Sequence, residues 1–239
     1  TLLDQMTYES EIPCPEGLVR PRVALRELEN AMPDDAMVAT DIGNLNSLSN
    51  GYLRFKNARS HLAAGPYGNC GYALPAVMGA KVGRPDRPAI AYAGDGAWGM
   101  SCTEIMTCVR ENIPVTAVVL SNRQWGAEKK NQILWFGDRY VGTQLDVDGE
   151  SMDFAEIARA MGAEGVRISD PALIGETLRS AVRDQMENGK TTVIQIDLSK
   201  ELSDPFRRDA MKLPQRILPK YKHTDLDAES ATGQPIDLV

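Results

Sequence analysis

The tightest constraint on how this 239-residue chain folds is a pair of short polar signals, each set at the end of an apolar run. Gly94-Asp95-Gly96 comes directly after the run from Pro88 to Ala93, and Asn122 closes the run from Pro114 to Ser121. Such runs read as buried strands. Between them, residues 100–111 carry Ile105, Met106 and Val109 at helical spacing. Strand, helix, strand is a parallel crossover unit. It brings Asp95 and Asn122 to one carboxyl edge of a sheet, where open α/β folds bind ligands. A carboxylate and an amide oxygen there suit a hard cation such as Mg2+, which also takes phosphate oxygens. The glycines flanking Asp95 let a phosphate approach the backbone, and Ala97, just beyond the turn, can offer it an N–H. Asn122 alone also reads as an ordinary turn-forming strand end; its spacing to Asp95 favours the ligand role.

The same alternation runs through the chain. A short amphipathic helix is expected over residues 22–31, a strand over 36–40, a helix over 45–54 and a short strand over 61–64. A loop over 65–71 then leads to a small-residue helix over 72–82. Helices over 154–161 and 171–187 flank residues 165–168, and a last buried strand covers 191–197. Strands this apolar imply a mainly parallel central sheet with helices on both faces, a three-layer α/β domain. Residues 1–20 read as a linker or incoming arm, 21–200 as the domain and 201–239 as a C-terminal extension.

The bulk properties narrow the function classes. A net charge of −7 argues against a general nucleic-acid surface. No apolar run approaches the length of a membrane span. The four cysteines form no CxxC pair, which fits reduced thiols in a cytoplasmic protein.

Longer stretches carry a resemblance. Asp95 to Asn122, Gly68-Asn69-Cys70-Gly71-Tyr72-Ala73-Leu74-Pro75 and Asp41-Ile42-Gly43-Asn44 together resemble thiamine diphosphate-dependent enzymes of the acetolactate synthase type. Residues 94–100, 104–114, 122–132 and 204–210 are most similar to the sulfoacetaldehyde acetyltransferases within that group. The resemblance implies the three-layer thiamine diphosphate-binding fold, with thiamine diphosphate and Mg2+ as cofactors. It implies Asp95, Asn122 and the main-chain carbonyl of Gln124 as metal ligands. Gly43, Asn44, Gly68, Cys70, Gly96, Ala97, Trp125 and Gly126 join Asp95, Asn122 and Gln124 around the cofactor. The reaction implied turns sulfoacetaldehyde and phosphate into acetyl phosphate and sulfite, a step of sulfonate metabolism. Acetolactate synthase, a 2-oxo-acid or sulfopyruvate decarboxylase subunit, and a non-catalytic binding subunit are the alternatives.

In the resembled enzymes a glutamate facing the cofactor pyrimidine belongs to a separate pyrimidine-binding domain. No counterpart is found here, so a pyrimidine-binding domain or subunit is the expected partner, within a homodimer or homotetramer. The chain is then either the carboxyl-terminal piece of a longer enzyme or one subunit of a split one. Cys70 stands where the resembled pattern has a bulky apolar residue, and reads as a small hydrophobe more readily than as a redox group. Arg123, with Lys129, Lys130, Arg207 and Arg208 behind it, is a candidate for receiving sulfonate or phosphate, against the plainer reading of solvated surface charge. Trp98 and Trp125 read as packing residues, His61 equally as a packed loop residue or a catalytic one, and His223 has no role.

Overall fold

The computed structural model of the protein describes residues 12–202, apart from 66, 138, 147, 148 and 151 and the side chains of 134 and 135. Arg207, Arg208, His223 and the expected 201–239 extension beyond residue 202 lie outside the described residues.

Six strands form one sheet, every neighbouring pair parallel: β1 (Met37–Thr40), β2 (His61–Ala63), β3 (Ala89–Gly94), β4 (Thr116–Ser121), β5 (Glu164–Ile168) and β6 (Thr192–Asp197). Their order is β2-β1-β3-β4-β6-β5. The central strand β4 is buried throughout, as a strand covered on both faces must be. Side chains alternate along each strand, and the two faces differ in size. On one, Ile90, Tyr92, Val118, Leu120, Ile194 and Ile196 pack against α1 (Pro21–Ala31), α2 (Asn44–Ser49) and α8 (Ile174–Asn188). On the other, Ala89, Ala91, Ala93 and Ala117 leave room for α3 (Ala73–Gly83) to lie close. Trp98 of α4 (Asp95–Gly99), Ile105 of α5 (Ile105–Arg110) and Phe154 of α7 (Phe154–Ala160) complete that layer.

The expected strands and most helices are present, with boundaries shifted by a few residues. The helix expected over 45–54 covers only Asn44–Ser49 and gives way to turns. The single helix expected over 100–111 is divided. α4 starts on Asp95 itself, a 3-10 turn spans Cys102–Glu104, and α5 comes after it. The buried face of α5 is Ile105 with Cys108, while Met106 is 53% and Val109 36% exposed. Trp98 of α4 is buried in the same layer. A further helix, α6 (Gly126–Phe136), has no counterpart among the sequence expectations. The incoming arm is docked by residue 19, where Val19 is fully buried, donates to Asp197 O (2.8 Å) and accepts from Ser199 N (2.9 Å).

Candidate functional site

β1, β3 and β4 end side by side at the carboxyl edge, and the turns and helices that continue from them line one cleft open to solvent. β3 delivers Asp95, only 5% exposed. Its Oδ1 accepts from Gly96 N (2.9 Å), and its Oδ2 from Ser121 Oγ (3.3 Å) and Arg123 N (2.5 Å). All three donors are neutral. Burial outweighs these hydrogen bonds and pushes the carboxyl up to about 6. A cation in the cleft would hold it ionised.

The turn after β4 is shaped by that carboxylate. Arg123 lies in the left-handed region (φ 60), a conformation that costs a side-chain-bearing residue ~1–2 kcal/mol. Three backbone bonds hold it there. Arg123 N donates to Asp95, Leu145 N donates to Arg123 O (3.0 Å) and Trp125 N donates to Thr143 O (2.9 Å). The last two make an antiparallel bridge centred on Gln124 and Gln144. In such a bridge the flanking residues form the bonds, so the N–H and C=O of Gln124 stay out of the pairing. The Gln124 side chain fastens the turn from below, donating to Lys200 O (2.8 Å) and accepting from Lys129 Nζ (3.0 Å).

Three amides line the cleft without the partners that buried amides ordinarily have. Asn122 is 1% exposed and Asn44 7%, and the Nδ2 of each has no hydrogen-bond partner. Asn46 is 3% exposed, and neither its Nδ2 nor its Oδ1 has one. Two glycines set the spacing. A Cβ on Gly96 would come within 2.8 Å of the Trp125 indole, and one on Gly126 within 3.5 Å of both Asn122 Nδ2 and Asn44 Cβ. Trp125 therefore lies on the turn that carries Asp95, and α6 starts against the two asparagines.

The opposite wall is fixed by Asp41. Its carboxylate accepts from Ile42 N (2.9 Å), Gly71 N (2.9 Å) and Ala73 N (2.8 Å), tying the end of β1 to the start of α3. That clamp brings Cys70 to the cleft wall. Partial burial, then the charges of Asp41 and Glu128, raise the Cys70 thiol above its ordinary range. It stays a neutral thiol, a small apolar wall in keeping with its reading as a hydrophobe.

Of the expected site residues, Gly43, Asn44, Cys70, Asp95, Gly96, Ala97, Asn122, Gln124, Trp125 and Gly126 share this cleft, and Gly68 does not line it. Nor do Arg123, Lys129 and Lys130. Arg123 reaches Gly149 O (3.4 Å), Lys129 is held by Gln124 and lies 5.1 Å above the Tyr140 ring, and Lys130 is buried. His61, exposed on the edge strand β2, contacts Thr40 Oγ1 (3.0 Å), stacks on Phe55 and does not line the cleft; partial burial of the ring lowers its pKa. Sequence reasoning missed Asn46 and Glu128, both on the cleft wall, and the clamp made by Asp41. An Asn two positions after Asn44 in a short helix gave no separate signal.

No group of three His, Cys, Asp or Glu side chains able to hold a metal occurs among the described residues. A cation here would rest on one carboxylate plus amide and main-chain oxygens, a donor set for a hard ion that brings phosphate oxygens with it. Asp95, Asn122 and the carbonyl that Gln124 keeps out of the bridge fit that description. No described helix is long and apolar enough to cross a membrane.

Residues 41–196 match the family model described as thiamine pyrophosphate enzyme, C-terminal TPP binding domain. The sulfoacetaldehyde acetyltransferase of Castellaniella defragrans is 59% identical over 204 residues, 85% of this chain and 33% of that protein. The sulfoacetaldehyde acetyltransferase of Alcaligenes xylosoxydans xylosoxydans is 58% identical over the same length and shares. The mitochondrial acetolactate synthase catalytic subunit of Aspergillus candidus is 34% identical over 166 residues, 68% of this chain and 23% of that protein. The chain thus spans about a third of the acetyltransferases it matches. Among solved structures, the Rhodococcus jostii RHA1 thiamine diphosphate-dependent 4-hydroxybenzoylformate decarboxylase superposes with a TM-score of 0.71 at 21% identity, over 81% of this chain and 35% of that one. That likeness bears on the fold, the three-layer α/β arrangement described above.

Proposed function

Because the chain belongs to the thiamine pyrophosphate enzymes, through their C-terminal TPP-binding domain, we propose that it is the diphosphate-binding part of a sulfoacetaldehyde acetyltransferase. The reaction converts sulfoacetaldehyde and hydrogen phosphate into acetyl phosphate and bisulfite: the C–S bond breaks, sulfite leaves with its electron pair, and a phosphate oxygen bonds to the former aldehyde carbon. The observation that carries this reading is the step in identity, from 59% and 58% with sulfoacetaldehyde acetyltransferases to 34% with acetolactate synthase. When bound, thiamine diphosphate supplies the nucleophilic carbon and the electron sink that this chemistry needs.

The chain's own residues position and neutralise. Asp95, Asn122 and the Gln124 carbonyl would hold Mg2+, and the ion would supply positive charge to offset a diphosphate and keep Asp95 ionised. The N–H of Ala97, in the first turn of the short helix starting at Asp95, and the amide of Asn44 would donate to phosphate oxygens, while the Gly96 N–H stays on Asp95. Trp125 and Cys70 give the cleft an apolar wall beside these polar groups. The cleft walls described here contribute carboxylates, Asp95 and Glu128, and no cation. Charge for the sulfonate and the incoming phosphate therefore comes from elsewhere, with Arg207 and Arg208 or a partner domain as the sources, and Arg123 reorienting as a weaker contributor. A pyrimidine-binding domain or subunit completes the site, in a homodimer or homotetramer.

The test measures sulfite and acetyl phosphate together, using an enzyme in which this chain is joined to a pyrimidine-binding partner. Sulfite release from sulfoacetaldehyde that depends on phosphate is the expected result. Acetolactate from pyruvate, with no sulfite from sulfoacetaldehyde, would move the protein to the acetolactate synthases.

A further inference from the structure

Lys200 touches both sides of the bridge that holds Gln124. Its main-chain carbonyl accepts from Gln124 Nε2 (2.8 Å). Its ammonium reaches the opposite side, donating to Gln144 Oε1 (3.2 Å) and to Asp146 Oδ2 (2.7 Å). The segment that carries Lys200 is anchored to the sheet: Leu198 N donates to Ser121 O (2.8 Å), and Ser199 N donates to Val19 O (2.9 Å). None of Lys200, Gln144 and Asp146 lines the cleft, so they act on it only through the turn.

The bridge needs such support. Two backbone bonds make it, Leu145 N to Arg123 O and Trp125 N to Thr143 O, and an isolated two-stranded pairing is marginal in water even when much longer. The same turn keeps Arg123 in the left-handed region, which disfavours a side-chain-bearing residue. An ion pair from a residue fixed to the end of β6 ties residues 143–146 to the sheet. The Asp146 side chain is 13% exposed and that of Lys200 36%, so the pair is partly shielded from water and salt. We propose that Lys200 and Asp146 are positioning residues for the metal-binding turn: their ion pair holds residues 143–146 against residues 123–125 and so fixes where the Gln124 carbonyl points. The proposal rests on the reading of Asp95, Asn122 and Gln124 as the cation site, and adds the pair that orients its main-chain ligand.

The two partners carry opposite charges, which separates positioning from a simple electrostatic effect. A field acting through space would shift cofactor binding in opposite directions when one or the other charge is removed. A positioning pair weakens binding in both cases. The experiment combines amide hydrogen exchange without ligand and calorimetric titration with thiamine diphosphate in excess Mg2+. It uses the unaltered chain, Lys200→Met, Asp146→Asn, the double variant and Lys200→Arg, all well below their melting temperatures. The amides of Trp125 and Leu145 are expected to exchange roughly three- to tenfold faster in both single variants, while those of β4 keep their protection. Affinity is expected to fall about three- to tenfold in each and no further in the double variant, because the two residues act as one pair. Lys200→Arg, which keeps the charge, should bind close to the unaltered chain. Unchanged exchange at Trp125 and Leu145 would overturn the proposal. So would acceleration that extends equally to β4, unchanged affinity, or affinities that move in opposite directions in the single variants. An unaltered chain that binds nothing would instead overturn the cofactor reading, and the exchange rates would still decide whether the pair holds the turn.

Discussion

At the amino ends of β3 and β4, Gln185 of α8 is 1% exposed and fully occupied. It accepts from Ala89 N (2.9 Å) and donates to Ala89 O (2.7 Å) and Thr116 Oγ1 (3.4 Å). Nearby, the buried ammonium of Lys81 finds Pro85 O and Arg87 O, both at 2.9 Å. At the carboxyl ends of the same strands the pattern reverses. Asn44, Asn46 and Asn122 are buried like Gln185 and have amide atoms with no partner, and Asp95 has only neutral donors. One sheet thus has an end whose buried amide is fully hydrogen-bonded and an end whose buried amides are not. Both ends are buried, so burial alone does not mark the cleft; what sets it apart from the amino end is that three of its lining residues, Asn44, Asn46 and Asn122, carry unpartnered amide atoms beside Asp95.

The widest gap between the ends should open with Asp95→Ala. Removing the cleft's buried carboxylate is expected to abolish Mg2+-dependent binding of thiamine diphosphate, by more than about a hundredfold, since a site of amide and main-chain oxygens alone holds a divalent ion poorly. The fold should persist, with a modest loss from the unpaired N–H of Arg123. Calorimetry showing unchanged affinity would sink the assignment of the cleft. Gln185→Leu makes the opposite cut. It strands a backbone N–H and C=O at the buried start of β3 and should cost roughly 2–4 kcal/mol, a fall in melting temperature on the order of 10 °C. Affinity of the folded fraction for thiamine diphosphate should not change. If it fell along with stability, the two ends would not be independent.

Much of this division could be read from the chain. Asp95 and Asn122 sit at the ends of apolar runs long enough to be buried strands, and parallel pairing leaves no freedom about which edge they reach. What escaped the sequence depends on tertiary relations. α6 has the sequence Gly-Ala-Glu-Lys-Lys-Asn-Gln-Ile-Leu-Trp-Phe, with no apolar stripe in its first turns and no side-chain cap at Trp125, so periodicity gave it no signal. The left-handed turn at Arg123 is imposed by Asp95 and by the segment around Gln144, neither of them local. Lys129 looked free to meet an anion because nothing in the sequence announces its bond to Gln124. Met106 and Val109 have the spacing of a buried face, but the break into α4, a 3-10 turn and α5 leaves Ile105 and Cys108 as the buried pair.

Gly96→Ala probes how closely the binding end is fitted. The added methyl would meet the Trp125 ring at 2.8 Å, and overpacking of that kind typically costs ~1–3 kcal/mol. Since Trp125 opens α6, the expected outcome is a displaced indole, visible as a change in tryptophan emission, with severalfold weaker cofactor binding and little change in the far-ultraviolet dichroism. Unaltered emission and affinity would mean the ring yields at no cost and does not set the cleft.

The smallest effect expected is on a thiol. Cys70 lines the cleft, whereas Cys102 lies in the 3-10 turn outside it, and both are half-buried with thiols raised above the ordinary range by burial. Alkylation runs through the thiolate, so both should label slowly at neutral pH and faster as pH rises and the thiolate fraction grows. Cys108, buried and pushed up to about 12, should stay unlabelled in the folded chain and so report any unfolding. Against that background, Mg2+ with thiamine diphosphate should slow Cys70 severalfold and leave Cys102 as it was, measured by mass spectrometry of the separate peptides. Equal slowing of both would point to general stabilisation in place of occupancy. Slowing of Cys102 alone would put the ligand at a different edge of the sheet, and the contrast between its two ends would have to be drawn again.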